Sequence, residues 1–420
     1  MAISTRFFLG SAGRGRTDNG IKAYTRGTHR VISPEITMER VRPLLPVMGI
    51  TRIANVTGLD HIGLPVVMVV RPNARSVAVS QGKGLTLAGA KASGVMEAVE
   101  GYHAEHIILP LKYATWEELR YTHPVADPET LPMTRDSLFH PDFPILWIEA
   151  RDLLTQEPAW IPYELVSLNF TLPNPAGAGC FVSSSNGLAS GNHWLEAVSH
   201  GICEVVERDA VTLWSLKQLD QQQSVRVNLD SIDDPDCRAV LKLFQQAGLN
   251  VGIWDVTSDV GLPVFVCLVA DRDRNALRPL PSGFCYGCHP SREVALLRAL
   301  TECAQSRLTL ISGARDDLSW QNYEAEANSE TWEKQQQILN ASAGTRRLNE
   351  VPTFSGDTLL DDVQHEIACL EHAGFTRIYV VDLTRDEFNL PVVRVVIPGL
   401  EPKIAGKNYR PGKRAQEIIA

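Results

Sequence analysis

Three stretches of the chain share one order of polar and apolar residues. TGLDHIGLPVVMVV begins at Thr57, TSDVGLPVFVCLVA at Thr257 and TRDEFNLPVVRVVI at Thr384. Each runs from Thr through an Asp and a short Gly- or Asn-containing turn to Leu-Pro and a β-branched run. The apolar runs ITRIANV, LNVGIWDV and RIYVVDL stand just before them. This order predicts three hairpins whose second strands open after Pro65, Pro263 and Pro391, because proline is tolerated at a strand's first residue. WIPYELVSLNF and GCFVSSSNG predict a further strand pair.

The helical pattern is as regular. SIDDPDCRAVLKLFQQAGL and LDDVQHEIACLEHAGF predict amphipathic helices that end at Gly and lead into hairpins. Three Ala/Leu/Val-rich runs carry polar residues at i, i+4 and i+7. They are Ser93-x3-Glu97-x2-Glu100, His200-x3-Glu204-x2-Glu207 and Arg298-x3-Glu302-x2-Gln305. Each residue turns the helix by roughly 100°, so each triplet falls on one face. The fold class that follows is α+β, with antiparallel sheets covered by helices and an internal pseudo-repeat. The polar first 45 or so residues read as an N-terminal arm, 46–410 as the main domain and 411–420 as a tail. Segment 313–352 is charged and poor in β-branched residues, which predicts a helical insert or a mobile loop.

Composition narrows the function. The net charge is −9, so no polybasic face argues for nucleic acid or a membrane surface. No apolar run approaches about 18 residues, and MAISTRFFLGSAGRGR lacks the order of a signal peptide. The eight cysteines are scattered, as free thiols in a reducing cytoplasm would be.

Carboxylates on otherwise apolar helix faces are costly unless paired or bound to a cation. Three such helices facing one another would form a pocket suited to hard cations such as Mg²⁺. On the middle run, Asn192, Glu196, Glu204, Glu207 and Arg208 extend over about 24 Å. That length suits an elongated, metal-bridged anion such as a triphosphate. Arg208 and Arg307 would then neutralise phosphate oxygens. The competing readings are solvent-facing Glu on amphipathic helices and salt bridges at an oligomer interface.

With these residues in view, the chain resembles the YcaO family over nearly its whole length, from GTHRVISPEIT to VVRVVIPGL. The motifs that carry the resemblance are SQGKGLTLAGAKASGVMEAVE, SSNGLASGNHWLEAVSHGICEVVERDA and HPSREVALLRALTECAQSRLTLISGARDD. The resemblance implies a YcaO-type fold and an ATP and Mg²⁺ site. Its residues by position are Ser93, Glu97, Glu100, Asn192, Glu196, Glu204, Glu207, Arg208, Glu302, Gln305 and Arg307, with Glu97, Glu100, Glu204 and Glu207 as Mg²⁺ ligands. It further implies ATP-dependent activation of a peptide amide, giving an azoline or, with sulfide as nucleophile, a thioamide. The ending KNYRPGKRAQEIIA lacks the Pro-x-Pro-x-Pro tail common in azoline-forming members. DHIGLPV and YRPGKRA are similar to the subgroup that installs thioamides with a TfuA-like partner. The partners implied are a substrate peptide or protein, a TfuA-like protein and a second copy in a homodimer. An azoline-forming enzyme, an accessory factor in ribosomal-protein methylthiolation and a non-catalytic nucleotide-binding subunit are the alternatives.

Other signals are weaker. Cys285-Tyr-Gly-Cys288-His289 matches a haem-attachment pattern, but no export signal or second Cys pair supports haem or zinc. It reads as a loop leading into the third Glu-bearing helix, with a sulfur relay as the alternative. Gly82-Lys83-Gly84 is no Walker loop, yet Lys83 is a candidate phosphate contact, as is Arg315. Arg14, Arg16 and Arg30 are candidates for covering a nucleotide or binding a partner. His365 and His372 read as a surface pair.

Overall fold

The computed structural model describes residues 18–275, 279–402 and 409–420. The chain forms two compact units, each built from separate stretches. The first comprises the described residues up to Lys22, Val99–Leu216 and Gly356–Ala420, and the second comprises Ala23–Ala98 and Lys217–Ser355.

In chain order, α1 (Pro34–Val41) precedes β1 (Arg52–Asn55), β2 (Val66–Val70) and β3 (Val79–Lys83) of the second unit. Helix α2 (Leu87–Glu105) follows. The first unit then contributes β4 (Leu111–Ala114), α3 (Trp116–Arg120), β5 (Ile145–Asp152), β6 (Pro158–Pro162), β7 (Leu188–Ser190) and α4 (Trp194–Ser215). The chain returns to the second unit for α5 (Leu219–Ser224), α6 (Pro235–Gln246), β8 (Leu249–Asp255), β9 (Val264–Asp271) and β10 (Gly283–Cys288). After these come α7 (Arg292–Ser312), α8 (Trp320–Ala327) and α9 (Ser329–Asn340). The first unit closes with α10 (Leu359–His372), β11 (Tyr379–Asp382), β12 (Val392–Val396) and α11 (Lys413–Ile419).

The three repeated phrases form hairpins, β1–β2, β8–β9 and β11–β12, all antiparallel. One device builds each turn. The residue two before Leu-Pro's proline has a left-handed backbone: Gly63 at φ +78°, Gly261 at +81° and Asn389 at +49°. Gly adopts this region freely and Asn tolerates it. The repeated Thr then accepts the N–H that opens the next strand: Val66 to Thr57 at 3.1 Å, Val264 to Thr257 at 3.2 Å and Val392 to Thr384 at 3.2 Å. The recurring Thr is thus a hydrogen-bonding element of each turn, kept although its distance to the proline varies.

The second unit holds two three-stranded sheets, β1-β2-β3 and β10-β9-β8, and the first unit one sheet ordered β4-β5-β11-β12-β7, with β6 beside β5. In the second unit a helix lies on each sheet at backbone contact. A Cβ at Gly82 would meet Ala90 O and Gly94 N at 2.1 Å, and one at Gly287 would meet Ala295 O at 2.2 Å. Strand β3 therefore touches α2, and β10 touches α7, through glycine in both copies of the pseudo-repeat. Val66, Phe265, Ala295 and Leu300 lie in the apolar core of this unit. In the first unit, α4 packs on β12, β7 and α10.

The predicted pairing of WIPYELVSLNF with GCFVSSSNG does not occur. β6 pairs with β5, while residues 181–187 form a loop ahead of β7, whose own partner is β12. Segment 313–352 contains two helices, and the tail contains α11, whose Arg414 grips fully buried Asp209 with two hydrogen bonds of 3.0 Å. Arg14 and Arg16 lie outside the described residues.

Arg307 is fully buried on α7. Its Nε donates to Asp60 at 2.9 Å and its Nη1 to Asp271 at 2.9 Å. Removing one partner of a buried pair strands the other's charge. Asp60→Ala is expected to lower stability by about 3 kcal/mol, read as a fall in the urea midpoint. A change under about 0.5 kcal/mol, the range of ordinary surface substitutions, would contradict this.

Candidate functional site

In the second unit, the glycine contact of β3 with α2 sets the geometry. Lys83 N–H points to Ser93 Oγ at 3.4 Å, and Gln81 N–H to Glu97 Oε2 at 3.4 Å. Lys83 Nζ pairs with Glu302 Oε2 at 3.0 Å. Burial works against the charge on Lys83, but its ion pair and hydrogen bond with Glu302 outweigh it and hold its pKa above the usual value. Glu97 reaches solvent, yet protein atoms enclose its carboxyl on most sides. That enclosure pushes it up to about 7 against the pull of Lys83 and Arg315. Arg315 follows the left-handed Gly313 that caps α7 and binds Asp317 at 2.8 Å, while Asp316 accepts the Ala78 N–H at 3.3 Å. Partly exposed Gln305 lies on α7 one turn before Thr309, which donates to the Gln305 carbonyl at 2.9 Å and to the Gln81 side chain.

Arg307 is the exception among the candidates on α7. It lies five residues, roughly 140° of helix rotation, from Glu302. Its guanidinium is closed in by Asp60 and Asp271, so the phosphate contact expected of it is replaced by a structural ion pair.

In the first unit, β7 runs into α4 through Gly191 and Asn192. Asn192 thus precedes the helix, which His193 caps by accepting the Leu195 N–H at 3.2 Å. The Asn192 N–H donates to Glu196 Oε2 at 2.7 Å. A Cβ at Gly191 would meet Glu196 Cβ at 2.5 Å, so this turn too needs glycine. Ser190 holds Glu100 Oε1 with its N–H and its hydroxyl, each at 2.8 Å. Arg208 lies 3.5 Å from Glu204 and 3.8 Å from Glu207. This unit therefore pairs Glu100 with Ser190, Asn192 with Glu196, and Arg208 with Glu204 and Glu207. The second brings together Lys83, Ser93, Glu97, Glu302, Gln305 and Arg315.

Two residues escaped the sequence reading. Ser190 sits inside a quoted motif but off the helical period. Arg394 is fully buried in the middle of β12, and burial lowers its pKa to about 10 against the opposing pull of Glu204 and Glu100. The available signal was a lone Arg in the otherwise apolar run PVVRVVIPG.

The cysteine pattern is corrected. Cys285 and Cys288 lie on strand β10 rather than in a loop, at a spacing that puts them on opposite faces. Both are buried, and burial with a hydrogen bond to Cys303 pushes the Cys285 thiol well up, which disfavours a reactive thiolate. His365 is half-buried beside Cys369, and His372 is exposed. No helix among the described residues is long and apolar enough to cross a membrane.

A carboxylate-rich α+β chain of this topology has known counterparts. Residues 81–401 match the family described as YcaO cyclodehydratase, ATP- and Mg²⁺-binding, and the chain belongs to that family. It is 34% identical over 414 residues to a protein in the tfuA 3′ region of Rhizobium leguminosarum bv. trifolii, covering 96% of this chain and 95% of that one. A Methanothermobacter thermautotrophicus protein is 34% identical over 396 residues, 91% of this chain and 98% of its own. Among solved structures, a heterocyclase in complex with substrate and cofactor superposes with a TM-score of 0.76 at 24% identity. The likeness covers 96% of this chain and 55% of the heterocyclase, so the chain spans about half of that protein's length. YcaO from Methanopyrus kandleri, bound with AMPPCP and Mg²⁺, gives a TM-score of 0.72 at 22% identity, covering 91% of this chain and 95% of that one. These likenesses establish the fold.

The raised Glu97 carboxyl has a consequence for stability. The folded state holds its proton to higher pH than the unfolded state, so its contribution is fully present below about 4.5 and is lost as pH rises through about 7. Glu97→Gln carries no such loss. The urea midpoint of the variant should therefore gain on the wild type between pH 5 and 8. Parallel profiles for the two proteins would contradict the shift.

Proposed function

We propose that the chain binds ATP with Mg²⁺ through the carboxylates of α2, α4 and α7, and activates a peptide backbone amide by O-phosphorylation. The observation that carries this reading is a row of carboxylates along one part of the first unit: Glu100 held by Ser190, Glu196 by the Asn192 N–H, and Glu204 and Glu207 beside Arg208. Carboxylates are acceptor-only oxygen donors, the set that Mg²⁺ prefers. Glu97 adds a further carboxylate on α2, its Oε2 accepting the Gln81 N–H at 3.4 Å.

The chain's own residues divide the work. Glu97, Glu100, Glu204 and Glu207 hold Mg²⁺, with Ser190 aiming Glu100. Arg208, Lys83 and Arg315 are the cations offered for neutralising phosphate oxygens. Ser93, Asn192, Glu196, Glu302 and Gln305 orient the nucleotide. The bound nucleotide supplies a phosphoryl group that turns the amide oxygen into a leaving group. A nucleophile adds to the carbonyl carbon, the oxygen takes the phosphoryl group, and phosphate departs.

We assign sulfide as the nucleophile and a thioamide as the product, made with a TfuA-like partner. This rests on the likeness to the protein in the tfuA 3′ region, which spans nearly the whole of both chains. A second reading, azoline formation by a Cys, Ser or Thr side chain of the peptide, draws on the likeness to the heterocyclase fold.

Calorimetric titration with a non-hydrolysable ATP analogue tests the nucleotide site. Binding should require Mg²⁺ and weaken by roughly tenfold or more in Glu207→Gln. Equal affinity in the variant would place the nucleotide elsewhere. Mass spectrometry of a peptide incubated with the protein, a TfuA-like partner, ATP and sulfide separates the products. Exchange of oxygen for sulfur supports thioamidation, whereas loss of water supports an azoline.

A further inference from the structure

Arg394 is the least expected residue of the first unit. A charged side chain at the centre of a strand is costly to bury, and a partner carboxylate normally balances it. Arg394 instead gives its hydrogen bonds to main-chain carbonyls: Nη1 to Asn186 at 2.6 Å, and Nη2 to Val166 at 3.4 Å and to Ser184. Its buried Nε has no hydrogen-bond partner. Among the described residues this cation has no contact ion pair, so its compensation there comes from charges at longer range.

The ladder places one carboxylate on the same face as Arg394. β12 pairs with β7 so that Arg394 lies opposite Leu188 and Val392 opposite Ser190. Ser190 is the residue whose N–H and hydroxyl hold Glu100. Arg394 is thus two rungs from the anchor of one carboxylate. The next residue, Val395, points to the opposite face of the strand and packs on Gly201 of α4. Glu100 and Glu204 are also the two groups whose field supports the charge of Arg394.

We propose that Arg394 is a positioning residue and fixed counter-charge for Glu100 and Glu204, and that it keeps the empty site's affinity for free Mg²⁺ low. This rests on the nucleotide-site reading above. A built-in cation occupies part of the attraction that a metal ion would otherwise enjoy, since like charges in a shared low-dielectric site repel. A nucleotide brings its own negative charge and restores the balance. Mg²⁺ therefore enters with the triphosphate rather than before it. Removing the charge of Arg394 should strengthen metal binding to the empty site and weaken nucleotide binding. A merely structural role would weaken both.

The test is Mg²⁺ titration of the full chain, with and without a non-hydrolysable ATP analogue, for the wild type, Arg394→Gln and Arg394→Lys. Gln keeps an N–H₂ donor for the carbonyls but carries no charge. Free Mg²⁺ should bind Arg394→Gln roughly tenfold or more tightly than the wild type, while the analogue binds more weakly. Arg394→Lys, which keeps the charge, should stay near the wild type. Unchanged or weaker Mg²⁺ binding in folded Arg394→Gln overturns the proposal. Should that variant not fold, the wild type alone decides. Free Mg²⁺ must then bind at least about tenfold more weakly than Mg²⁺ in the presence of the analogue, and equal affinities overturn the idea. Failure of the wild type to bind the analogue would instead remove the nucleotide-site reading itself.

Discussion

Negative charge enclosed by protein has to be balanced, and that requirement shapes both units. In the second, Glu97 and Glu302 are met by Lys83 and Arg315. In the first, Glu204 and Glu207 are met by Arg208 at close range, and Glu100 and Glu204 by Arg394 at longer range. The balance is incomplete by design of the fold, as the raised Glu97 carboxyl indicates. Arg307, fully buried between Asp60 and Asp271, puts its charge to use in the core instead.

Backbone chemistry delivers the charged groups to their places. Glycine at 82 and 94 lets β3 touch α2, which sets Lys83 beside Ser93 and Gln81 beside Glu97. Glycine at 191 lets the chain turn tightly from β7 into α4 over Glu196. The Thr that closes each hairpin fixes where the following strand starts, and so fixes which of its residues face which neighbour. In β12 that register puts Arg394 opposite Leu188 and leaves Val395 against Gly201. Tight turns and close contacts of backbone thus decide the position of side chains whose chemistry is electrostatic.

Much of this was legible beforehand because it is periodic. The hairpins carry their own signature in Thr, a left-handed residue and Leu-Pro, and the Glu helices carry theirs in the i, i+4, i+7 spacing. Helices α6 and α10 begin at Asp234 and Thr358 caps and end near Gly248 and Gly374, as their sequences indicate. What escaped depends on contacts distant in sequence. Nothing around Arg307 announces Asp60, which lies 247 positions away. Ser190 acts on Glu100 across 90 positions. The cysteine motif looked like a loop because glycine interrupts it, whereas Gly287 is there for the close approach of α7 to a strand. The tail looked patternless because α11 is short and is held by one buried ion pair to Asp209.

The central claim is that the amide oxygen of a peptide leaves as phosphate. The most direct measurement uses a substrate peptide whose backbone amide carries ¹⁸O, incubated with the protein, its partner, ATP and the nucleophile. The account predicts that the label appears in the released phosphate in step with product. Label that stays in the peptide or passes to water while product forms would contradict it.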